Sequence, residues 1–300
     1  MRVGRVVCSL LLPLAVLLIA ATIVFPAAPA GKVFRFQPKE GGAAAYDTKL
    51  SSRAEGKGDG GERVRAEVSL QMRCVASYLG GTASGGFGLR GAIESGAMKV
   101  KVDGREQELD LPEYVERYTV TERGEMKSQS VVSGEPPVVA YGGVYLAVTP
   151  DEPILLGGLA IFPERPLRKG DKWKGTARVP LPQGGKYNDW SYQSVLVGEE
   201  TWRGRKCHRV KTTSSTTLSQ TADAPDGSGT IRMSGKVTST DNWLFDSERG
   251  IIVYSQRSAR VQTAMSLVSD GEVVRTQTTS GVLNEKNVLV EYDGSPVGAK

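Results

Sequence analysis

The chain of 300 residues carries 38 Lys and Arg against 33 Asp and Glu, a formal net charge of +5. Because these charges are dispersed, without a basic stripe interleaved with aromatic residues, we expect no nucleic-acid partner. The 36 glycines are typical of a turn-rich β protein.

The first 30 residues have the pattern of an export signal. Arg2 and Arg5 precede an apolar run over residues 6–25, and Ala28-Pro29-Ala30 follows. A basic end, an apolar core and a small-residue cleavage site are typical of a secretory signal peptide. The run is also long enough to cross a bilayer, so a membrane anchor over residues 6–25 is the alternative and would be the only membrane contact. Both interpretations place the rest of the chain in the periplasm or outside the cell.

Residues 64–76 alternate between apolar and polar side chains almost without interruption. This period of two predicts an antiparallel strand with one face on a core, long enough to bend around a curved sheet. The preceding polar stretch, residues 51–61, is predicted to be a flexible loop. Asp103-Gly104 predicts a tight hairpin turn, and residues 114–132 predict a second hairpin with Gly124 near its middle.

The same alternation returns in the C-terminal part of the chain. One predicted face carries Ile231, Met233, Val237, Trp243 and Phe245. A turn over residues 246–250 leads to a returning strand, whose apolar positions include Val261, Met265 and Leu267. Two further runs, residues 272–283 and 287–292, predict that this region is a four-stranded meander.

The fold class is therefore predicted to be all-β, with long curved antiparallel meander sheets in two halves that can form an incomplete barrel. We divide the chain into a signal peptide (1–30), an N-terminal β half (31–135), a linker rich in Gly and Pro (136–166) and a C-terminal β half (167–295). Beyond the signal segment, only residues 150–159 show helical spacing, and Gly157-Gly158 weakens that prediction.

No group of residues specifies a reaction. His208 is the sole histidine and directly follows Cys207, and neighbours on a strand point to opposite faces, so the two do not form a nucleophile–base pair. The glycine pattern over residues 86–91 lacks the following helix that a dinucleotide site needs. We therefore assign no catalytic, cofactor-binding or metal-ligating residues and expect no cofactor.

Two sets of residues are candidates for other roles. Cys74 and Cys207 are the cysteines outside the signal segment, and an even count in an exported protein permits a disulfide; Cys74 can equally be a small buried hydrophobe. Trp173, Trp243 and Phe245 are candidates for the lining of an apolar ligand cavity, although such residues also serve as core packing.

A set of short motifs runs through residues 160–270. Pro163 and Pro166 give Pro-x-x-Pro, residues 170–173 give Gly-Asp-x-Trp, residues 204–207 give Gly-x-x-Cys, and residues 245–250 give Phe-Asp-x-x-x-Gly. This order resembles a group of exported bacterial all-β proteins without assigned function. The resemblance implies an all-β module of the cell envelope and transfers no catalytic residue. In architecture alone, the chain is similar to the half-barrels that carry lipoproteins or lipids across the periplasm.

These observations favour a non-catalytic, exported cell-envelope protein that binds an apolar ligand, such as a lipid or acyl chain, or an envelope protein. A structural scaffold without a ligand is the first alternative, and a carboxylate-dependent hydrolase is the second. A deep apolar cavity would favour binding, a filled core with polar faces would favour the scaffold, and two buried carboxylates converging in a cleft would favour the hydrolase. The oligomeric state stays open.

Overall fold

The computed structural model describes residues 31–82, 85–135, 138–141, 144–147, 154–155, 159–180, 187–223 and 229–297. These ranges are almost entirely β structure, which confirms the predicted fold class. The predicted signal segment and most of the predicted helix lie outside the described residues. The strands are β1 (Ala43–Gly58), β2 (Arg63–Gly81), β3 (Phe87–Val102), β4 (Arg105–Asp110), β5 (Tyr114–Val120), β6 (Met126–Ser133), β7 (Val138–Tyr141), β8 (Val144–Ala147), β9 (Lys172–Pro180), β10 (Tyr187–Trp202), β11 (Arg205–Asp223), β12 (Thr230–Asp246), β13 (Ile251–Ser269), β14 (Glu272–Tyr292) and β15 (Ser295–Pro296).

One antiparallel sheet of 13 strands contains all of them except the β7–β8 pair. Its order is β6-β5-β3-β2-β1-β14-β13-β12-β11-β10-β9, with β4 beside β3 and β15 beside β14. The pairing of β1 with β14 joins the two predicted halves into a single sheet. The sheet curls until its edge strands β6 and β9 come within 8 Å at Cα, without hydrogen-bonded pairing between them.

Two sequence predictions of elements are wrong. Residues 51–58 form no loop but continue β1, because Ser51 is paired on one side with Ser69 and on the other with Asn284. The C-terminal meander has three strands instead of four, since β14 runs without a break from Glu272 to Tyr292. The hairpin turns at Asp103-Gly104 and Gly124 are confirmed, and all three residues have positive φ, at 46°, 86° and 91°.

The burial of β2 confirms the predicted facing of its residues. Val68, Leu70, Met72 and Cys74 are buried, and the residues between them point outward. Because neighbouring strands pair in register, the buried positions of one strand lie beside those of the next. They form one inner face, which lines the interior of the curled sheet, and the alternate positions form one outer face.

Two segments outside the sheet fill one end of this interior. Residues 34–36 and 159–162, which we call the plug, contribute Phe34, Phe36, Ile161 and Phe162 to the larger hydrophobic core. Lys32 and Leu167 hold the two segments together through reciprocal backbone hydrogen bonds of 2.8 Å. The last residues of the predicted linker are therefore part of a core that both halves of the sheet share.

Candidate functional site

The three predicted cavity residues meet in the core at the plugged end, which we call the upper core. The Phe162 ring lies 4.9 Å from that of Phe245, 5.5 Å from that of Trp243 and 6.3 Å from that of Trp173, measured between centroids. Trp173 Nε1–H also donates to the Ile161 carbonyl at 2.9 Å. All three predicted residues are buried. They pack against the plug, so in the structure they form core and do not line an open cavity.

The motifs behind the family resemblance have a structural explanation at the same end. Asp171 accepts hydrogen bonds from the Arg168 backbone N–H and the Arg165 guanidinium, which lower the pKa of its carboxyl group. This closes the turn before Trp173. Gly250 has a φ of 65° and lies so close to Gln37, just after the plug, that a Cβ would collide with its backbone. These motif residues position the plug and the turns around it.

His208 is buried under the plug. Its ring lies edge-on to Phe34 with 4.7 Å between centroids, and its Nε2 has no hydrogen-bond partner among the described residues. Its Nδ1 is 3.9 Å from the Glu199 carboxylate. Burial, and then the charge of Lys32, lower the pKa of His208. Burial raises the pKa of the adjacent Cys207 thiol to about 12, so this thiol stays protonated and is not an activated nucleophile.

Acid should destabilise the fold through His208. Its pKa is lower in the folded chain than the ordinary value of 6.5, so below about pH 6.5 the unfolded chain binds the proton more readily. Stability is therefore present above this pH and is lost as the pH falls toward the folded pKa. We expect urea unfolding of His208→Phe to change less between about pH 7.5 and 5.5 than that of the parent. Equal changes in both proteins would contradict this assignment.

The structure does not contain the disulfide considered from the sequence. Cys74 and Cys207 are both buried, and no disulfide joins them. Their strands, β2 and β11, are five steps apart along the sheet, and each step is about 4.8 Å. Cys207 lies in the upper core, whereas Cys74 lies in a second core formed mainly by β1, β2 and β3. In place of the disulfide considered from the sequence, the structure therefore has two separate buried cysteines.

Below the upper core, the inner face carries a buried polar band. Arg257 on β13 bonds to Asp241 on β12, and its guanidinium is 3.8 Å from the Glu285 carboxylate on β14. Ser239 donates to Asp241 at 2.8 Å, and Asn287 donates to Glu285 at 2.7 Å. Two carboxylates thus share one guanidinium inside a hydrogen-bonded network. The guanidinium offsets part of the charge of these two buried carboxylates.

Sequence reasoning also missed a buried carboxylate on β5. Glu116 accepts hydrogen bonds from the Tyr114 hydroxyl at 2.5 Å, from the Tyr118 hydroxyl and from the Gln129 amide at 2.8 Å. Tyr114, Glu116 and Tyr118 occupy alternate positions on β5 and are all buried. That alternation was the available signal, because it places a glutamate between two aromatic residues on the inner face.

Beyond the polar band lies an apolar surface, which we call the lower inner face. It consists of seven residues on β12, β13 and β14 that are all partly exposed and belong to neither core: Ile231, Met233, Val237, Val261, Met265, Leu267 and Leu283. Three cross-strand pairs, Ile231–Leu267, Met233–Met265 and Val237–Val261, order this surface. Whereas the upper core is closed by the plug, this surface keeps contact with solvent.

The outer face of the described part of the chain includes clefts lined mostly by polar residues, with volumes of 640, 680 and 670 Å³. Among the described residues, no three His, Cys, Asp or Glu side chains are grouped to hold a metal ion. In the same part of the chain, no helix has the length and apolar character needed to cross a membrane.

Comparisons with known proteins identify no family for this chain. No protein-family profile matches it, and neither does any curated protein. Among solved structures, a lipovitellin structure described as showing lipid–protein interactions matches with a TM-score of 0.45 and 14% identity over 88% of this chain. The match spans 26% of that chain, so our protein corresponds to about a quarter of its length. The structure of Pseudomonas aeruginosa OccK7 (OpdD) matches with a TM-score of 0.24 and 6% identity, over 84% of this chain and 100% of that one.

Proposed function

We propose that this is an exported, non-catalytic protein of the cell envelope, which binds an apolar chain such as the acyl chain of a lipid on its lower inner face. The observation that carries the proposal is the contrast between the two ends of the interior. The upper core is filled by aromatic side chains from the plug, and the lower inner face leaves apolar side chains partly exposed along three strands.

The lower inner face has the order that a linear apolar ligand requires. Cross-strand pairs place Met233 beside Met265 and Val237 beside Val261, with the Gly235–Thr263 pair between them, so the apolar side chains form rows across neighbouring strands. Each Å² of apolar surface removed from water stabilises a complex by about 25 cal/mol before the costs of association. Methionine side chains adapt to ligands of differing shape. The polar band, with Arg257 and its two carboxylates, ends the apolar surface toward the upper core.

A fluorescent fatty acid tests this proposal directly. We expect dansyl-undecanoic acid to show a saturable rise and blue shift of its emission when it is titrated with the purified chain. Val237→Asp and Val261→Asp should each weaken binding by about tenfold, because a charge placed in an apolar contact loses its hydration. Thr238→Asp, which is the next residue on β12 and points outward, should bind like the parent.

A bulky apolar replacement tests whether filling the binding surface, without adding a charge, also prevents the ligand from binding. Val237→Trp should also weaken binding, because it occupies the space beside Val261, and a thermal melt of each variant checks that the fold is retained. If the parent shows no saturable response, or if Thr238→Asp weakens binding as much as Val237→Asp, the proposal is wrong.

Export can be tested by N-terminal sequencing of the protein from its native host. The expected mature chain starts at Gly31, because Ala28-Pro29-Ala30 supplies small residues at the cleavage site. An intact Met1 on protein held in the membrane fraction would support the anchor over residues 6–25 instead.

A further inference from the structure

The outer face of β11, β12 and β13 differs in charge from the rest of the sheet. Its outward positions over residues 211–221, 230–242 and 256–266 include no acidic residue. They carry four cations, which we call the basic face: Lys211, Arg232, Lys236 and Arg260. Nearly every other outward position in these ranges is Ser, Thr, Asn or Gln. The structure gives none of the four cations an ion-pair partner among the described residues.

On β1 to β4, three of the outward cations are neutralised by carboxylates on the neighbouring strand. Arg53 pairs with Glu67 at 2.8 Å and Arg65 pairs with Glu55 at 2.6 Å, each across neighbouring strands. Lys99 pairs with Glu108 at 3.1 Å in the same way. Cations opposite carboxylates are the usual arrangement on a solvated sheet. The basic face lacks this arrangement, so its positive potential is available to a ligand.

Hydroxyl groups and cations are ordered on the basic face. Arg260 lies directly opposite Thr238, and Lys236 lies opposite Gln262. Lys236 and Arg260 are therefore diagonal neighbours, about 7–8 Å apart at the backbone. An outer cleft of 680 Å³ runs across this surface from Lys174 on β9 to Arg260. Its outward lining between them is formed by Ser191, Gln193, Thr213, Ser215, Thr238, Thr240 and Ser258.

We propose that the basic face binds an anionic polysaccharide, whose carboxylate or phosphate groups pair with the cations and whose hydroxyls bond to the Ser, Thr and Gln side chains between them. The extended arrangement across several strands suits a linear polymer. Single-stranded nucleic acid would need aromatic side chains on which bases stack, and no aromatic residue occupies the outward positions of these ranges. An anionic membrane would be favoured by apolar residues that insert between lipids, and those positions are polar apart from Ala264.

Binding of an oligogalacturonate to the full-length chain tests this inference by calorimetry. We expect binding at low ionic strength that weakens with added salt, and much weaker binding of the fully methyl-esterified oligomer, which has no charge. The double variant Lys236→Glu/Arg260→Glu should lower the affinity by at least about tenfold, because it reverses two of the four charges.

A charge-matched control uses cations on the opposite half of the sheet. Lys49→Glu/Lys101→Glu, which changes two exposed lysines on β1 and β3, has the same net charge as the test variant and should bind like the parent. Equal losses in the two double variants would overturn the inference, as would equal binding of the charged and esterified oligomers. Binding of phosphatidylglycerol vesicles or oligothymidylate through Lys236 and Arg260, without oligogalacturonate binding, would also overturn it and identify a different partner. The acyl-chain assay is independent, because the variants expected to weaken acyl-chain binding, at Val237 and Val261, lie on the inner face.

Discussion

Replacing Arg257 by methionine is expected to lower the free energy of unfolding by about 3–5 kcal/mol. The guanidinium is the cation between the carboxylates of Asp241 and Glu285, and all three side chains are buried. Without it, two carboxylates stay in a medium of low polarity and face each other's charge. Urea denaturation at about pH 7 should show this as a lower midpoint with an unchanged slope.

Arg260→Met is the matched control for this result. Arg260 lies three residues further along β13 and points outward, so its replacement should change stability by no more than about 0.5 kcal/mol. Adding Asp241→Asn to Arg257→Met should recover part of the loss, because one of the uncompensated charges disappears. If the two arginine variants are equally stable, the assignment of Arg257 to a buried ionic network is wrong.

Phe162→Ala is expected to destabilise the chain by about 3–5 kcal/mol. The Phe162 ring contacts Phe34, Trp173, Trp243 and Phe245, with centroid distances between 4.9 and 6.3 Å. Truncation would open a cavity at the centre of this cluster, where rigid strands on both sides limit collapse. The near-UV circular dichroism of the tryptophans should weaken as well, since both Trp173 and Trp243 lose a neighbouring ring.

Glu164→Ala provides the control in the same segment. The Glu164 side chain is 81% exposed and pairs with Arg123 at 3.1 Å, and surface ion pairs of this kind contribute about 0–1 kcal/mol. A Phe162→Ala protein that unfolds at the same urea concentration as Glu164→Ala would show that the plug does not stabilise the sheet.

The strands and their facing could be predicted from the sequence because they depend on local alternation. Val68 and Leu70 alternate with polar residues, and the structure buries the first set and exposes the second. The same logic failed for residues 51–58, whose small and charged residues lack apolar contrast. These residues form a strand because β2 and β14 supply backbone partners on both sides. A segment with a weak intrinsic preference for β structure can still form a strand when neighbouring strands bond to its backbone on both sides.

The polar band could be predicted only in part, because inner positions were identified by their apolar character. Three inner positions on adjacent strands are occupied by Asp241, Arg257 and Glu285. When each strand is considered alone, its charged residue is expected to be exposed to solvent. Register across β12, β13 and β14 is what brings the guanidinium to both carboxylates. Burial of charge thus follows from pairing, which periodicity in one strand does not specify.

By itself, the sequence determined the fold class, the alternation of inner and outer residues and the tight turns, since each depends on neighbours within a few positions. Only the tertiary structure decided which end of the interior is filled. Phe34 and Phe162 are separated by more than a hundred residues in segments without periodicity, and they meet because the sheet curls around them. The separation of Cys74 from Cys207 was also decided by the tertiary structure. The order of strands in the sheet determines which side chains share a core, and the residue pattern of a single strand does not.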